Sequence, residues 1–201
     1  MINFIDKKSV FIDENVIIED DVTIYENNRI QGKSIIKSGT ILLPGNFIDN
    51  SEIGKNCKIH SSVIQQSKVG DNVSVGPFAH LRPESQIGDG CKIGNFVEIK
   101  KSQIGKNTKI SHLTYVGDAT VGEDCNIGCG VIFCNFDGKE KHKSIVGNHV
   151  FIGSNCNLIA PVFVGDKSYI CAGTTVTKNV ENDEFIIGRV KQEKLNKKSL
   201  Y

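Results

Sequence analysis

Aliphatic residues recur at every sixth position through most of this chain. The first run is Ile12, Ile18, Ile24, Ile30, Ile36, Leu42 and Ile48. Single-residue slips lead to Ile53, Ile59, Ile64, Val69, Val75, Leu81, Ile87, Ile93 and Ile99, then to Ile104, Ile110, Val116, Val121, Ile127 and Phe133. The series breaks once and resumes from Val146 as Ile152, Leu158, Val164, Ile170 and Val176. A short fixed period is the mark of a solenoid, and hexads of this kind read as an all-β, parallel β-helix. Three hexads make one triangular coil of about 18 residues, and coils stack as parallel strands at roughly 4.8 Å. The anchor and the fourth residue after it face the core, while the residues flanking the anchor face outward. About nine coils, some 40–45 Å long, are expected between Phe11 and Lys178.

The slot four residues after the anchor is held by small side chains, among them Val22, Thr40, Val73, Ala79, Ser85, Thr108 and Val131. Four of the seven cysteines, Cys57, Cys91, Cys125 and Cys156, fall in it. There a free thiol acts as a small buried hydrophobe, as expected in a reducing compartment. No pair has CxxC spacing, so neither a zinc site nor any other metal site is expected. Glycine directly follows many anchors, as at Gly54, Gly88, Gly105 and Gly153, where it lets neighbouring backbones approach closely.

Two stretches leave the register. Thirteen residues separate Phe133 from Val146 where six would keep step, so residues 134–144 should form an inserted loop. Residues 179–201 should form a C-terminal tail, either a capping helix or an arm, and residues 1–10 a lead-in to a single domain spanning 1–201. Lys and Arg number 24 against 23 Asp and Glu. That balance argues against nucleic-acid or membrane-surface binding through bulk charge. The start lacks a signal-peptide pattern and no apolar run approaches a membrane span, so a cytoplasmic protein is expected.

The register brings distant charges together. On the face anchored by Leu81, Ile99, Val116 and Phe133, Arg82 and Lys100 stack outward at the strand spacing, a pairing that favours an anion across them. The column before the anchors reads His80, Glu98, Tyr115, Ile132, and that two residues after reads Pro83, Lys101, Asp118, Asn135. This patch reads as a phosphate site. The adjoining corner, two residues after Val75, Ile93, Ile110, Ile127, Ile152 and Ile170, reads Pro77, Asn95, His112, Cys129, Ser154, Ala172. An imidazole, with its ordinary pKa of about 6.5, suits removal of a proton from an amine. The small residues Cys129, Ser154 and Ala172 above it leave a groove for a long thin ligand. Group transfer to a phosphorylated acceptor is the chemistry these columns suggest.

From Val75 onward the chain resembles the C-terminal acetyltransferase domain of the bacterial bifunctional enzyme that makes UDP-N-acetylglucosamine. The matching strings are Val75-Gly-Pro-Phe-Ala-His-Leu-Arg-Pro83, Gly94-Asn-Phe-Val-Glu-Ile-Lys-Lys101, His112-Leu-Thr-Tyr-Val-Gly-Asp118 and Asn126-Ile-Gly-Cys-Gly130. Cys134-Asn-Phe-Asp-Gly138, Gly153-Ser154 and Ala172-Gly-Thr-Thr-Val176 complete them. The resemblance implies a left-handed helix, an exception to the usual crossover rule. It also implies acetyl transfer from acetyl-CoA to the amine of glucosamine 1-phosphate. On that resemblance His112 is the base and Glu98 the residue orienting it. Arg82, Lys100, Tyr115, Asn126, Asn135 and Lys141 contact the acceptor, and Ser154, Ala172 and Arg189 contact the cofactor, with Cys129 joining them by its place in the track. The family domain is a homotrimer with sites between subunits, and Lys141 is expected to reach the phosphate from its own chain or a neighbour's.

Two departures stand out. Phe136 replaces a family tyrosine, removing one hydroxyl contact. The uridyltransferase half of the family protein has no counterpart upstream of Phe11, so, if this is a complete protein, either a separate partner carries out nucleotide transfer or the product goes to another pathway. The competing readings are acetylation of another amino-sugar phosphate or nucleotide sugar, and a non-catalytic relative of the same fold. A zinc-dependent hexapeptide carbonic anhydrase is disfavoured, because the five histidines show no close pair suited to one metal.

Overall fold

The computed structural model describes residues 1–194. It is a left-handed parallel β-solenoid of about ten turns. Its three sheets hold eleven, ten and nine strands, and every strand pairs in parallel with the strand one coil away. The first sheet is anchored by Val75, Ile93, Ile110, Ile127, Ile152 and Ile170, the second by Leu81, Ile99, Val116 and Phe133, and the third by Ile87, Ile104, Val121 and Val146. Each anchor pairs with its expected counterpart, so the columns read from the sequence are real columns in space.

The coil count exceeds expectation because both ends join the solenoid. Asn3–Phe4 pairs with Thr23–Ile24 and adds a strand at one end. At the other end Val180 bridges Val164 and Phe185–Ile186 pairs with Tyr169–Ile170. The tail expected from residue 179 therefore continues the coil as far as Ile186, and residues 187–194 carry no regular structure. The lysine-rich end, residues 195–201, lies outside the described residues. Unpaired strand edges at a solenoid's ends need cover, and these additions supply some of it.

The core is a continuous stack of anchors; Ile24, Leu42, Ile93, Ile99, Val116, Phe133, Leu158 and Ile170 have no exposed surface. The slot four residues later completes it. Thr40 and Thr108 are fully buried there and donate to the carbonyl oxygens of Gly54 and Gly122, each at 2.8 Å, so the hydroxyls stay satisfied. The four slot cysteines are buried and free. Burial pushes the thiols of Cys57, Cys125 and Cys156 up and that of Cys91 to about 11, which leaves them inert as nucleophiles. Among the described residues no helix is long and apolar enough to cross a membrane.

Candidate active site

On the second sheet the outward column runs His80, Glu98, Tyr115, Ile132, and Lys100 pairs with Gly117. A Cβ at position 117 would overlap the Tyr115 hydroxyl and crowd the Asn135 amide, so glycine there opens the space that those two side chains occupy. Asn135 is buried, donates from Nδ2 to Asp118 Oδ2 at 2.5 Å, and lies 3.4 Å from the Tyr115 hydroxyl. Asp118 also lies 3.9 Å from Lys100 Nζ. These contacts fasten the base of the inserted loop to the patch.

The loop is a small hairpin closed by an antiparallel bridge between Phe136 and Lys141. Asp137 organises its tip, accepting from the backbone N–H groups of Lys139 and Glu140 at 2.8 Å each and pairing with His142 Nε2 at 2.7 Å. Those donors, the Glu140 N–H foremost and then His142, hold its carboxyl far below the usual range. The hairpin returns Lys141 to Lys100 of the same chain. Contact with the Lys141 side chain, followed by burial, holds Lys100 below the ordinary lysine range, and Asp118 opposes the shift. Two ammonium groups in contact favour an anion between them.

The orienting contact expected from Glu98 to His112 is not made. Glu98 instead accepts from Arg82 Nη1 at 2.7 Å, because the guanidinium rises from the coil below into the same outward face. Asn95 makes the contact to His112 instead: it pairs with it across adjacent coils, and its Oδ1 lies 2.5 Å from His112 Nδ1. With that oxygen accepting from Nδ1–H, the lone pair of Nε2 points away, free to take a proton. Asn95 shares the histidine's column, and that shared column is the one sign of its part that the sequence carries.

Above His112 the corner track continues through Cys129 to the exposed Ser154 and Ala172. Arg189 folds back over it, its Nη1 donating to the Ala172 carbonyl at 2.8 Å. Asn126 stands apart. It faces outward from the first sheet, between Lys109 and Phe151, across the corner from Tyr115 and Lys100. One chain thus gathers Arg82, Glu98, Lys100, Tyr115, Asn135 and Lys141 on one face and His112, Cys129, Ser154, Ala172 and Arg189 along the corner. A concavity of about 640 Å³ lies over the glycine-floored third sheet and contains none of these residues.

Fold and hexads define a hexapeptide-repeat β-helix. Residues 66–101 match the bacterial transferase hexapeptide (six repeats) family, and residues 144–178 match the hexapeptide repeat of succinyl-transferase. The chain is a domain like the C-terminal part of the bifunctional protein GlmU. It is 55% identical to GlmU of Clostridium acetobutylicum over 188 residues, covering 94% of this chain and 41% of that protein. Against GlmU of Clostridium novyi it is 52% identical over 191 residues, covering 95% and 42%. The chain spans about two fifths of the length of these relatives. Solved structures share the fold at low identity. Arabidopsis UDP-N-acetylglucosamine acyltransferase superposes with TM-score 0.62 at 15% identity, covering 87% of this chain and 68% of that one. A putative acetyltransferase from Desulfovibrio desulfuricans G20 gives 0.52 at 13%, covering 86% and 57%.

Proposed function

We propose that this domain transfers the acetyl group of acetyl-CoA to the amine of glucosamine 1-phosphate, giving N-acetylglucosamine 1-phosphate for UDP-N-acetylglucosamine and cell-wall synthesis. The observation that carries this reading is the pairing of His112 with Asn95 at the corner adjoining a cationic patch of Arg82, Lys100 and Lys141. His112 Nε2 takes the proton from the acceptor amine. The freed nitrogen attacks the thioester carbonyl, the C–N bond forms as the C–S bond breaks, and the imidazolium returns its proton to the departing thiolate. Arg82, Lys100 and Lys141 hold the phosphate, and Tyr115 and Asn135 fix the sugar beside it. Acetyl-CoA lies along Cys129, Ser154 and Ala172, with Arg189 at its far end. The transfer itself uses no metal.

An open corner cannot exclude water from the reacting carbonyl. Asn126 also faces away from the acceptor patch of its own chain. Both observations support a homotrimer whose sites lie between chains, with Asn126 contributed across the interface. The buried, reduced cysteines fit a cytoplasmic setting. The test is product formation from acetyl-CoA with glucosamine 1-phosphate, glucosamine and nucleotide-linked glucosamine, followed by mass spectrometry. Highest kcat/KM is expected for the 1-phosphate. Equal rates on free glucosamine would reject the phosphate patch, and preference for the nucleotide sugar would move the reading to the alternative acceptor.

A further inference from the structure

The acceptor patch contains a titratable group that the transfer chemistry leaves unused. His80 stands directly opposite Glu98, one coil below it. Its ring lies 3.1 Å, through Nε2, from the Gln65 amide oxygen of the next coil down. Glu98 accepts from Arg82 at 2.7 Å, so the carboxylate in the strand position facing His80 is held by a guanidinium. The strand beneath, Val63–Gln65, brings no charge to His80, and Asp49 follows Gln65 a coil further down. The strand above brings Glu98 and Lys100, and Arg82 belongs to His80's own coil. Burial holds His80 below the ordinary imidazole range, Glu98 draws it up, and Arg82 pushes it down.

A phosphate at Arg82 alters that balance. The guanidinium that serves Glu98 through Nη1 is also the one that would grip the phosphate, so two anions compete for one cation. Glu98 then needs another partner, and His80 is placed to become one by protonation. We propose that His80 is a positioning residue that takes up a proton when an acceptor phosphate engages Arg82, holding Glu98 while Arg82 turns to the phosphate. The proposal rests on the acceptor reading above and adds a proton-linked hand-over to it. Since phosphate binding raises the proton affinity of His80, binding through this route tightens as pH falls and is lost above the raised value. The second ionisation of the phosphate acts in the opposite sense, but it is common to all variants and cancels in their ratios.

The experiment measures KM and kcat for glucosamine 1-phosphate from about pH 5.5 to about pH 8 in native protein, His80→Gln and His80→Arg. The ratio of KM for His80→Gln to native should be near unity at the alkaline end and rise up to about fivefold at the acid end, with kcat unchanged. His80→Arg, charged throughout, should match native KM at the acid end and fall below it at the alkaline end. Imidazole NMR gives a readout independent of turnover: saturating glucosamine 1-phosphate should raise the apparent pKa of His80 by about one unit. Flat ratios for both variants, or an unmoved His80 at saturation, would overturn the hand-over if Arg82→Ala still weakens only phosphorylated acceptors. An Arg82→Ala effect that ignores the phosphate would overturn the hand-over and the acceptor reading together.

Discussion

Two corners of this prism carry the same hexad position and use it differently. Where the third sheet turns into the first, the residue two after the anchor ties coils together. Asp71 Oδ1 accepts from the Lys55 N–H at 2.7 Å, Asp89 from Asp71 at 3.0 Å, Asn148 from Glu123 at 3.0 Å and Asp166 from Asn148 at 2.7 Å. Where the first sheet turns into the second, the same position holds Asn95, His112, Cys129, Ser154 and Ala172. There Asn95 meets His112 side chain to side chain. One corner commits its polar groups to the backbone and stiffens the solenoid. The other leaves an imidazole and a bare track uncommitted, and it is there that the proposed chemistry would take place.

The lower coils sharpen the contrast, because there the reactive corner is itself structural. Asn46, buried in the small-residue slot, donates to Asn28 Oδ1 at 2.8 Å and to the Leu43 and Ile59 carbonyls at 2.6 and 3.2 Å, and accepts from the Ser62 N–H at 3.0 Å. The corner changes from a buried amide ladder to an open site as the chain climbs.

The largest effect expected from breaking this division is at His112. His112→Ala should lower kcat by about 10²–10⁴-fold, the usual contribution of a positioned base, with acetyl-CoA affinity little changed by calorimetry. Next, Arg82→Ala should weaken glucosamine 1-phosphate by about 1.5–3 kcal/mol in KM while leaving free glucosamine nearly unaffected. On the structural side, Asn46→Ala strands several buried polar groups and should cost about 1–3 kcal/mol in urea unfolding, with kcat unchanged. Asn95→Ala frees the histidine ring and should lower kcat by about three- to tenfold, with a Tm close to native.

The smallest effect is Asp89→Ala at the structural corner, a few tenths of a kcal/mol once solvent screening is allowed for. The Asp71 N–H first, and then Lys106, hold the Asp89 carboxyl below its usual range. A depressed carboxylate stabilises the fold above its unfolded value of about 3.9 and loses that contribution as pH falls through its native value. The gap in Tm between native and variant should therefore be present at neutral pH and close on acidification. A gap that widened in acid would contradict the assignment.

Much of this is legible in the hexads. The period alone specifies which anchors stack, and so sets Glu98 over His80 and Lys100 over Arg82. A register, however, leaves the rotamers open. Arg82, His112 and Glu98 all lie within reach of one another's coils, and geometry beyond the register decides that Glu98 takes Arg82 while Asn95 takes His112. The loop has no register at all, so the return of Lys141 to Lys100 of its own chain depends on Asp137, Asn135 and Asp118. The ends depart from expectation for a related reason. Phe4, Val180 and Ile186 join the coil through backbone pairing although the aliphatic period is weak around them.

Pairing the two corners in one experiment separates chemistry from scaffold most sharply. His112→Ala and Asp89→Ala are compared with native protein for kcat on glucosamine 1-phosphate and for Tm at neutral pH. His112→Ala is expected to keep its Tm and lose nearly all turnover, whereas Asp89→Ala keeps its turnover and melts slightly lower. Native-like turnover in His112→Ala, or a loss of turnover in Asp89→Ala at unchanged Tm, would contradict this division between the corners.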